Sequence, residues 1–262
     1  MCGIAGLFLP KDSGHQTADL RSMLDVLSHR GPNTQRTFIN QDKTYQVAFA
    51  RLAIIDLETG VQPIIEQKGE RVLMGNGEIY NFQELRKQYS DYPFKTSGDI
   101  ETILPLHSEF GEGFVQKLNG MFAIALYEAR DHRLTLVRDR VGIKPLYWAR
   151  TGFGGVIFAS EIKALFASGL IQPTLNNEAV SKYIAYGYIP APETLYRGVN
   201  KLPPGCLLRI EGNDEPKISN YWEISPIKDA PKSFEEASDL IMPLLKDSIK
   251  LQLASDVPMG AL

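Results

Sequence analysis

Cys2 directly follows the first methionine in Met1-Cys2-Gly3-Ile4-Ala5-Gly6. With Met1 removed, one residue carries both a thiol and a free α-amine. An α-amine has a pKa of roughly 7.7–8.0, so near neutral pH it can take the thiol proton, directly or through a water. Three other segments hold residues that would complete such chemistry. Arg51 stands inside the apolar run Ala50-Arg51-Leu52-Ala53-Ile54-Ile55-Asp56. Its planar fork suits a carboxylate, although read alone a structural salt bridge is the plainer alternative. In Gly75-Asn76-Gly77-Glu78-Ile79-Tyr80-Asn81, the Asn76 side-chain N–H and the Gly77 backbone N–H can form an oxyanion hole. The flanking glycines let a ligand approach the backbone; a tight turn is the plainer alternative. Asp99, in Thr96-Ser97-Gly98-Asp99-Ile100-Glu101, either caps a helix or holds an ammonium. Together these residues describe a site for the side-chain amide of an amino acid: a nucleophile with its base, an oxyanion hole, a carboxylate clamp and an ammonium receptor with Glu78 nearby.

Those residues need elements to hold them. Gly3 to Leu9 reads as a short buried strand, and Tyr45 to Ile55 as a second, aromatic and β-branched one. Between them, Leu20, Met23, Leu24 and Leu27 share one face of a helix over Ala18 to Ser28, which His29-Arg30-Gly31-Pro32 terminates. Val72 to Met74 reads as a strand leading into the Asn76 segment, with Asn81 as N-cap of a helix through Tyr89. Another helix starts near Asp99, with Pro105 inside it. Four short strands (121–128, 134–138, 146–149 and 156–160) suggest antiparallel hairpins. Helices follow over 161–168 and 177–186, and a strand over 206–210. Clustered strands and helices, without strict alternation, indicate an α+β layered domain. Ser233-Phe234-Glu235-Glu236 has the pattern of a capping box and opens a helix ending near Ser255.

Composition narrows the function class. The chain has 262 residues, 44% apolar and 23% charged, with a net charge of −3, which gives no reason to expect nucleic acid or an anionic membrane surface as partner. Two distant cysteines, Cys2 and Cys206, do not form a disulfide framework. With four histidines (His15, His29, His107 and His132) they show no zinc-type spacing, so no metal is expected. Met1 to Pro10 has no basic leader of a secretory signal, and no run reaches the ~20 apolar residues of a membrane span. A cytoplasmic location is the expectation.

The motifs, taken in order, resemble the glutamine amidotransferase domain of class II enzymes, and specifically that of glutamine-hydrolysing asparagine synthetases. The resemblance rests on Met1-Cys2-Gly3-Ile4, His29-Arg30-Gly31-Pro32, Arg51-Leu52, Asn76 to Asn81, Ser97 to Glu101, Gly120-Met121-Phe122-Ala123, Arg138 to Tyr147, Ala159 to Leu165 and Lys201-Leu202-Pro203-Pro204-Gly205. It implies an N-terminal-nucleophile hydrolase fold: a four-layer αββα sandwich with two mainly antiparallel sheets. It implies that Cys2 attacks the glutamine side-chain amide, giving a γ-glutamyl thioester and ammonia, with Asn76 and Gly77 as the oxyanion hole. Arg51 would take the substrate α-carboxylate, Asp99 and Glu78 its α-ammonium, and Leu52 and Ile54 would line the same site.

The resemblance also implies a division of the chain: residues 2–213 as glutaminase domain, 214–232 as linker, and 233–262 as the first helix of a synthetase domain. That second domain would amidate aspartate using ATP and Mg, through a Ser-Gly-Gly-x-Asp-Ser loop that this chain does not contain. The expectation is therefore a glutaminase half-reaction with no cofactor in these residues, and a homodimer as one possible assembly. Three alternatives stay open: an amidotransferase of another class II type, a relative that amidates a different carboxylate, and a non-catalytic scaffold of the same fold.

Overall fold

The computed structural model describes residues 1–14, 16–66, 70–226 and 230–260. His15, the part of the expected linker at 227–229 and the last two residues of the expected terminal segment lie outside the described residues. In chain order the first strands are β1 (Gly3–Phe8), β2 (Thr34–Ile39), β3 (Tyr45–Arg51), β4 (Ile64–Ile65), β5 (Arg71–Ile79) and β6 (Gly120–Glu128). They are followed by β7 (Arg133–Arg138), β8 (Tyr147–Arg150), β9 (Val156–Ala159), β10 (Val199–Lys201), β11 (Cys206–Glu211) and β12 (Lys217–Asn220). The helices are α1 (Leu20–Asp25), α2 (Phe82–Gln88), α3 (Ile103–Phe110), α4 (Ile162–Ala167), α5 (Asn177–Tyr186) and α6 (Phe234–Gln252).

The strands form two six-stranded sheets, ordered β10-β8-β9-β1-β3-β2 and β12-β11-β7-β6-β5-β4. Every described strand pair is antiparallel. The fold is α+β with four layers, and the period of two along each strand accounts for the layering. In β1, Ile4 and Phe8 enter the core between the sheets, where they meet Val72 and Met74 of β5. The alternate residues Ala5 and Leu7 face outward and pack with Leu20, Met23 and Leu24 of α1 and Leu165 of α4. On the outer face of the second sheet, Leu73 and Ile79 of β5 pack with Phe82 and Leu85 of α2 and Ile103 and Leu106 of α3.

Several elements depart from the sequence reading. α1 is shorter than expected: Asp19 caps it by accepting from Ser22 N at 3.0 Å, and a turn replaces its last residues. Asn81 precedes α2 but does not cap it. Its amide instead bridges Lys117 O at 3.0 Å and Asn119 N at 3.0 Å, tying the start of α2 to the segment before β6. β12 falls inside the span expected as linker. The polar turn after β11 closes a hairpin that pairs Cys206 with Asn220, so the second sheet extends past the expected boundary at 213. Half of the expected box at α6 forms: Ser233 Oγ accepts from Glu236 N at 3.1 Å, while the Glu236 carboxylate accepts from Lys232 N, one residue before the cap, at 2.8 Å. α6 ends at Gln252 and buries none of its residues; Leu240, Ile241, Leu244 and Leu245 are all exposed. None of the described helices is long and apolar enough to cross a membrane.

Candidate active site

The inner-face parity of β1 places Cys2 on the same side as Ile4 and Phe8, against the core between the sheets. β1 is a central strand, paired with β3 on one edge and β9 on the other, so its first residues are held firmly. Arg30 Nε donates to Cys2 O at 2.9 Å, and Arg30 Nη1 pairs with Glu161 at 3.0 Å. Leu52 N, just past the end of β3, donates to Cys2 Sγ at 3.4 Å. Burial pushes the thiol pKa up, opposed by the Leu52 N–H and the neighbouring α-amine. Burial also pushes the α-amine of Met1 below its ordinary value.

Asn76 and Gly77 lie within β5, not in a turn. Gly77 is opposite Phe122 of β6. Phe122, however, directs its own N–H and C=O to Asp139, at 3.2 and 2.9 Å. The pair is therefore a non-hydrogen-bonded one, and the Gly77 N–H points away from β6, toward the edge where β4 would continue. β4 is too short to reach it, since it pairs only with Val72 and Leu73. Along this edge Gly75 N is taken by Gln62 Oε1 at 2.6 Å and Ile79 N by Asp99 Oδ2 at 2.8 Å. The Gly77 N–H between them is not claimed by the sheet. The Asn76 side chain points the other way, with Val72 and Met74, toward β1. It is 1% exposed, and both of its amide atoms lack a hydrogen-bond partner. Such orphans are costly to bury, and they leave Asn76 Nδ2 and the Gly77 N–H as two donors without an acceptor among the described residues.

Asp99 is 7% exposed, and burial lifts its carboxyl to about 6, against the opposing pull of the backbone N–H groups it faces. Burial also raises Glu78, which Lys144 partly offsets, and it lowers Lys144 itself. Arg51, also buried, reaches forward over its own chain. Its Nη1 and Nη2 donate to Leu57 O at 3.3 Å and Ile55 O at 3.2 Å, and Nη2 also bonds Asp56 O. The guanidinium thus fastens the loop after β3, and Arg51 also lines the cavity beside Cys2.

All eight residues singled out from sequence, Cys2, Arg51, Leu52, Ile54, Asn76, Gly77, Glu78 and Asp99, line one cavity of about 240 Å³. That is below the roughly 300–1,000 Å³ of drug-sized sites and of a scale for one amino acid. Sequence reasoning missed three contributors. Gln62 holds both backbone groups of Gly75. Lys144 lines the cavity, and only its place in Gly142-Ile143-Lys144-Pro145 marked it. Glu101 accepts from Lys95 N, Thr96 N and Thr96 Oγ1 at 2.9, 2.7 and 2.8 Å, shaping the loop that leads to Asp99. Among the described residues no group of His, Cys, Asp and Glu could hold a metal ion.

Residues 1–222 match the family model of the glutamine amidotransferase domain. The chain is 36% identical to asparagine synthetase [glutamine-hydrolyzing] 2 of Bacillus subtilis, over 99% of this chain and 36% of that protein. It is 32% identical to asparagine synthetase B [glutamine-hydrolyzing] of Escherichia coli, over 100% of this chain and 42% of that protein. The chain thus spans less than half the length of these relatives. A solved structure of the allosteric regulatory enzyme of purine biosynthesis superposes with a TM-score of 0.60 at 18% identity, covering 84% of this chain and 49% of that one. Glutamine phosphoribosylpyrophosphate amidotransferase of B. subtilis superposes with a TM-score of 0.57 at 17% identity, over 84% of this chain and 49% of that one. At these identities the likeness is one of fold.

Proposed function

The chain belongs to the glutamine amidotransferase domain family, and from that premise we propose that it hydrolyses the side-chain amide of glutamine to glutamate and ammonia through a Cys2 thioester. The observation that carries the residue assignment is the buried, unpartnered Asn76 amide beside the unclaimed Gly77 N–H, in the same cavity as the Cys2 thiol. After Met1 is removed, the Cys2 α-amine takes the thiol proton as Sγ attacks the amide carbon. Asn76 Nδ2 and Gly77 N donate to the oxyanion. Collapse of the intermediate transfers the proton to the departing nitrogen, which leaves as ammonia. Water, deprotonated by the same amine, then cleaves the thioester and restores the thiol. Arg51 receives the α-carboxylate, and Asp99 with Glu78 the α-ammonium, so the ends of the substrate fix its amide over Sγ; Leu52 and Ile54 line the chain between them.

Likeness to named asparagine synthetases over the full chain supports a second part of the reading: the ammonia is destined for the carboxylate of aspartate, in an ATP-dependent step. These residues offer no Gly/Ser cradle for ATP; after α6 they read Leu253-Ala254-Ser255-Asp256-Val257-Pro258-Met259-Gly260. No nucleotide chemistry is therefore assigned to them. Glutamate release from glutamine tests the function. Wild-type chain should turn over, Cys2→Ala should not, and Asn76→Ala should lose on the order of 10²–10³ in kcat. Turnover by Cys2→Ala, or by protein whose intact mass still includes Met1, would overturn the mechanism.

A further inference from the structure

We infer that Asp256, which lies outside the matched amidotransferase segment, is a positioning residue that holds the Arg51 loop in its glutamine-binding shape. The inference rests on the proposed glutaminase function and adds a residue that the family match at 1–222 does not reach.

The loop after β3 turns at Asp56, whose φ of 54° lies in the left-handed region. A non-glycine residue stays there only where its surroundings fix it. The groups that fix Asp56 come from four places. Its carbonyl takes the Arg51 guanidinium. Its carboxylate accepts from Thr59 N at 2.8 Å and Thr59 Oγ1 at 2.6 Å. The same carboxylate accepts from Ser97 N at 2.8 Å, in the loop that carries Asp99. Its own N–H donates to Asp256 Oδ2 at 2.6 Å, 200 positions along the chain.

A second bond makes the contact two-point: Asp256 N donates to Ile54 O at 3.0 Å. The segment is seated as well as bonded. Ala254, like Ile55, packs against the core outside the second sheet. Ser255 Oγ bonds both the N–H and the C=O of Val257, at 3.1 and 2.9 Å, which turns the chain so that Asp256 faces the loop. Asp256 therefore reads like one more strut of the pocket wall, clipped across Ile54 and Asp56. Ile54 lines the cavity, and Arg51, which this loop orients, would take the substrate carboxylate. Releasing the clip frees the loop without touching Cys2, Asn76 or Gly77. The effect should therefore fall on glutamine binding and spare the chemical step, since an interaction equal in ground and transition states moves KM alone.

The test compares Asp256→Ala and Asp256→Asn with wild type, in the full chain, by glutamine kinetics and amide hydrogen exchange. Asp256→Ala should raise KM for glutamine about three- to tenfold with kcat within about twofold. Asp256→Asn, which keeps the acceptor oxygen, should stay near wild type. Without glutamine, exchange over residues 54–60 should quicken in the alanine variant only. An alanine variant with unchanged KM and unchanged exchange overturns the inference. So does a fall in kcat at constant KM, which marks general loss of folded protein. Failure of the function itself looks different: wild-type chain would then release no glutamate, while the exchange comparison still judges the clip.

Discussion

Replacing Asp99 with asparagine should make the protein more stable and nearly useless as a glutaminase. Asp99 is buried at the edge of β5, and its carboxyl lies at about 6, raised from 3.8 mainly by burial. The native state thus holds the proton more tightly than the unfolded chain. Below about pH 4 the group is protonated in both states and costs nothing. As pH rises from 4 to 6 the unfolded chain loses the proton first, so stability falls, and above about 6 the penalty is complete. At about 1.4 kcal/mol per pH unit, the penalty comes to roughly 3 kcal/mol. Asparagine carries no charge, and its Oδ1 can still accept from Ile79 N, which Asp99 Oδ2 receives at 2.8 Å.

Asp99→Asn should therefore gain about 3 kcal/mol at pH 8, or about 6–12 °C in Tm for a chain of this size, and the gain should vanish near pH 4. Binding runs the other way. An α-ammonium placed beside a neutral amide is a buried charge without its partner, a loss of roughly 3–5 kcal/mol, so kcat/KM should fall by at least 10²-fold. In wild type, kcat/KM should decline below about pH 6 as Asp99 protonates. Calorimetry at pH 4 and 8 and glutamine kinetics across pH 5–8 check the argument. Asparagine protein that is less stable at pH 8, or equally stabilised at both pH values, refutes the desolvation reasoning. Unchanged kcat/KM refutes the ammonium role.

Two further substitutions probe the frame of the site. In Gly77→Ala the new Cβ collides with the Met121 carbonyl and with Phe122 Cα. β5 and β6 must then separate beside the oxyanion hole, so Tm should drop and glutamate release should fall more than about 100-fold. Glu101→Ala leaves the Lys95 and Thr96 N–H groups without their acceptor, for a loss of about 2–4 kcal/mol in denaturant unfolding; Glu101→Gln, which keeps one oxygen, should lose less.

What the sequence revealed and what it concealed divide along a physical line. Asn76 and Cys2 are legible because their chemistry is packed into a few adjacent residues, and the strands beside them have clean inner and outer faces. β2, with Gln35, Arg36 and Thr37, and β12, all exposed, are edge strands with little apolar signal, and no local pattern separates them from loops. The Asn76-Gly77 segment, for which the sequence alone offers a tight turn as the plainer alternative, is a strand because Phe122 and Ala123 of β6 pair with it, a partner more than forty residues away. Its open edge exists because β4, antiparallel to β5, begins only at Ile64, opposite Leu73. The roles of Gln62, Asp56 and Glu101 likewise depend on which distant N–H groups they meet, and a single sequence does not encode that locally.

The same geometry gives Met1 removal a second reason. Pairing of Gly3 with Ala50 and Ala5 with Ala159 fixes the register of β1 on both edges. A slip of one residue would turn Cys2 to the helix side of the sheet and Gly3 toward Asn76, so a residue in front of Cys2 cannot be accommodated by shifting the strand. Met1 must instead project from the inner end of β1, and it does: it lines the same cavity, with its sulfur 3.9 Å from Arg30 Nη2. Its retention places an amide nitrogen where the mechanism needs a basic amine and puts a side chain at the wall of a cavity of about 240 Å³. Adding residues ahead of Met1 that block its removal should therefore abolish turnover and weaken glutamine binding measured by calorimetry, whereas a defect in the amine alone would spare binding.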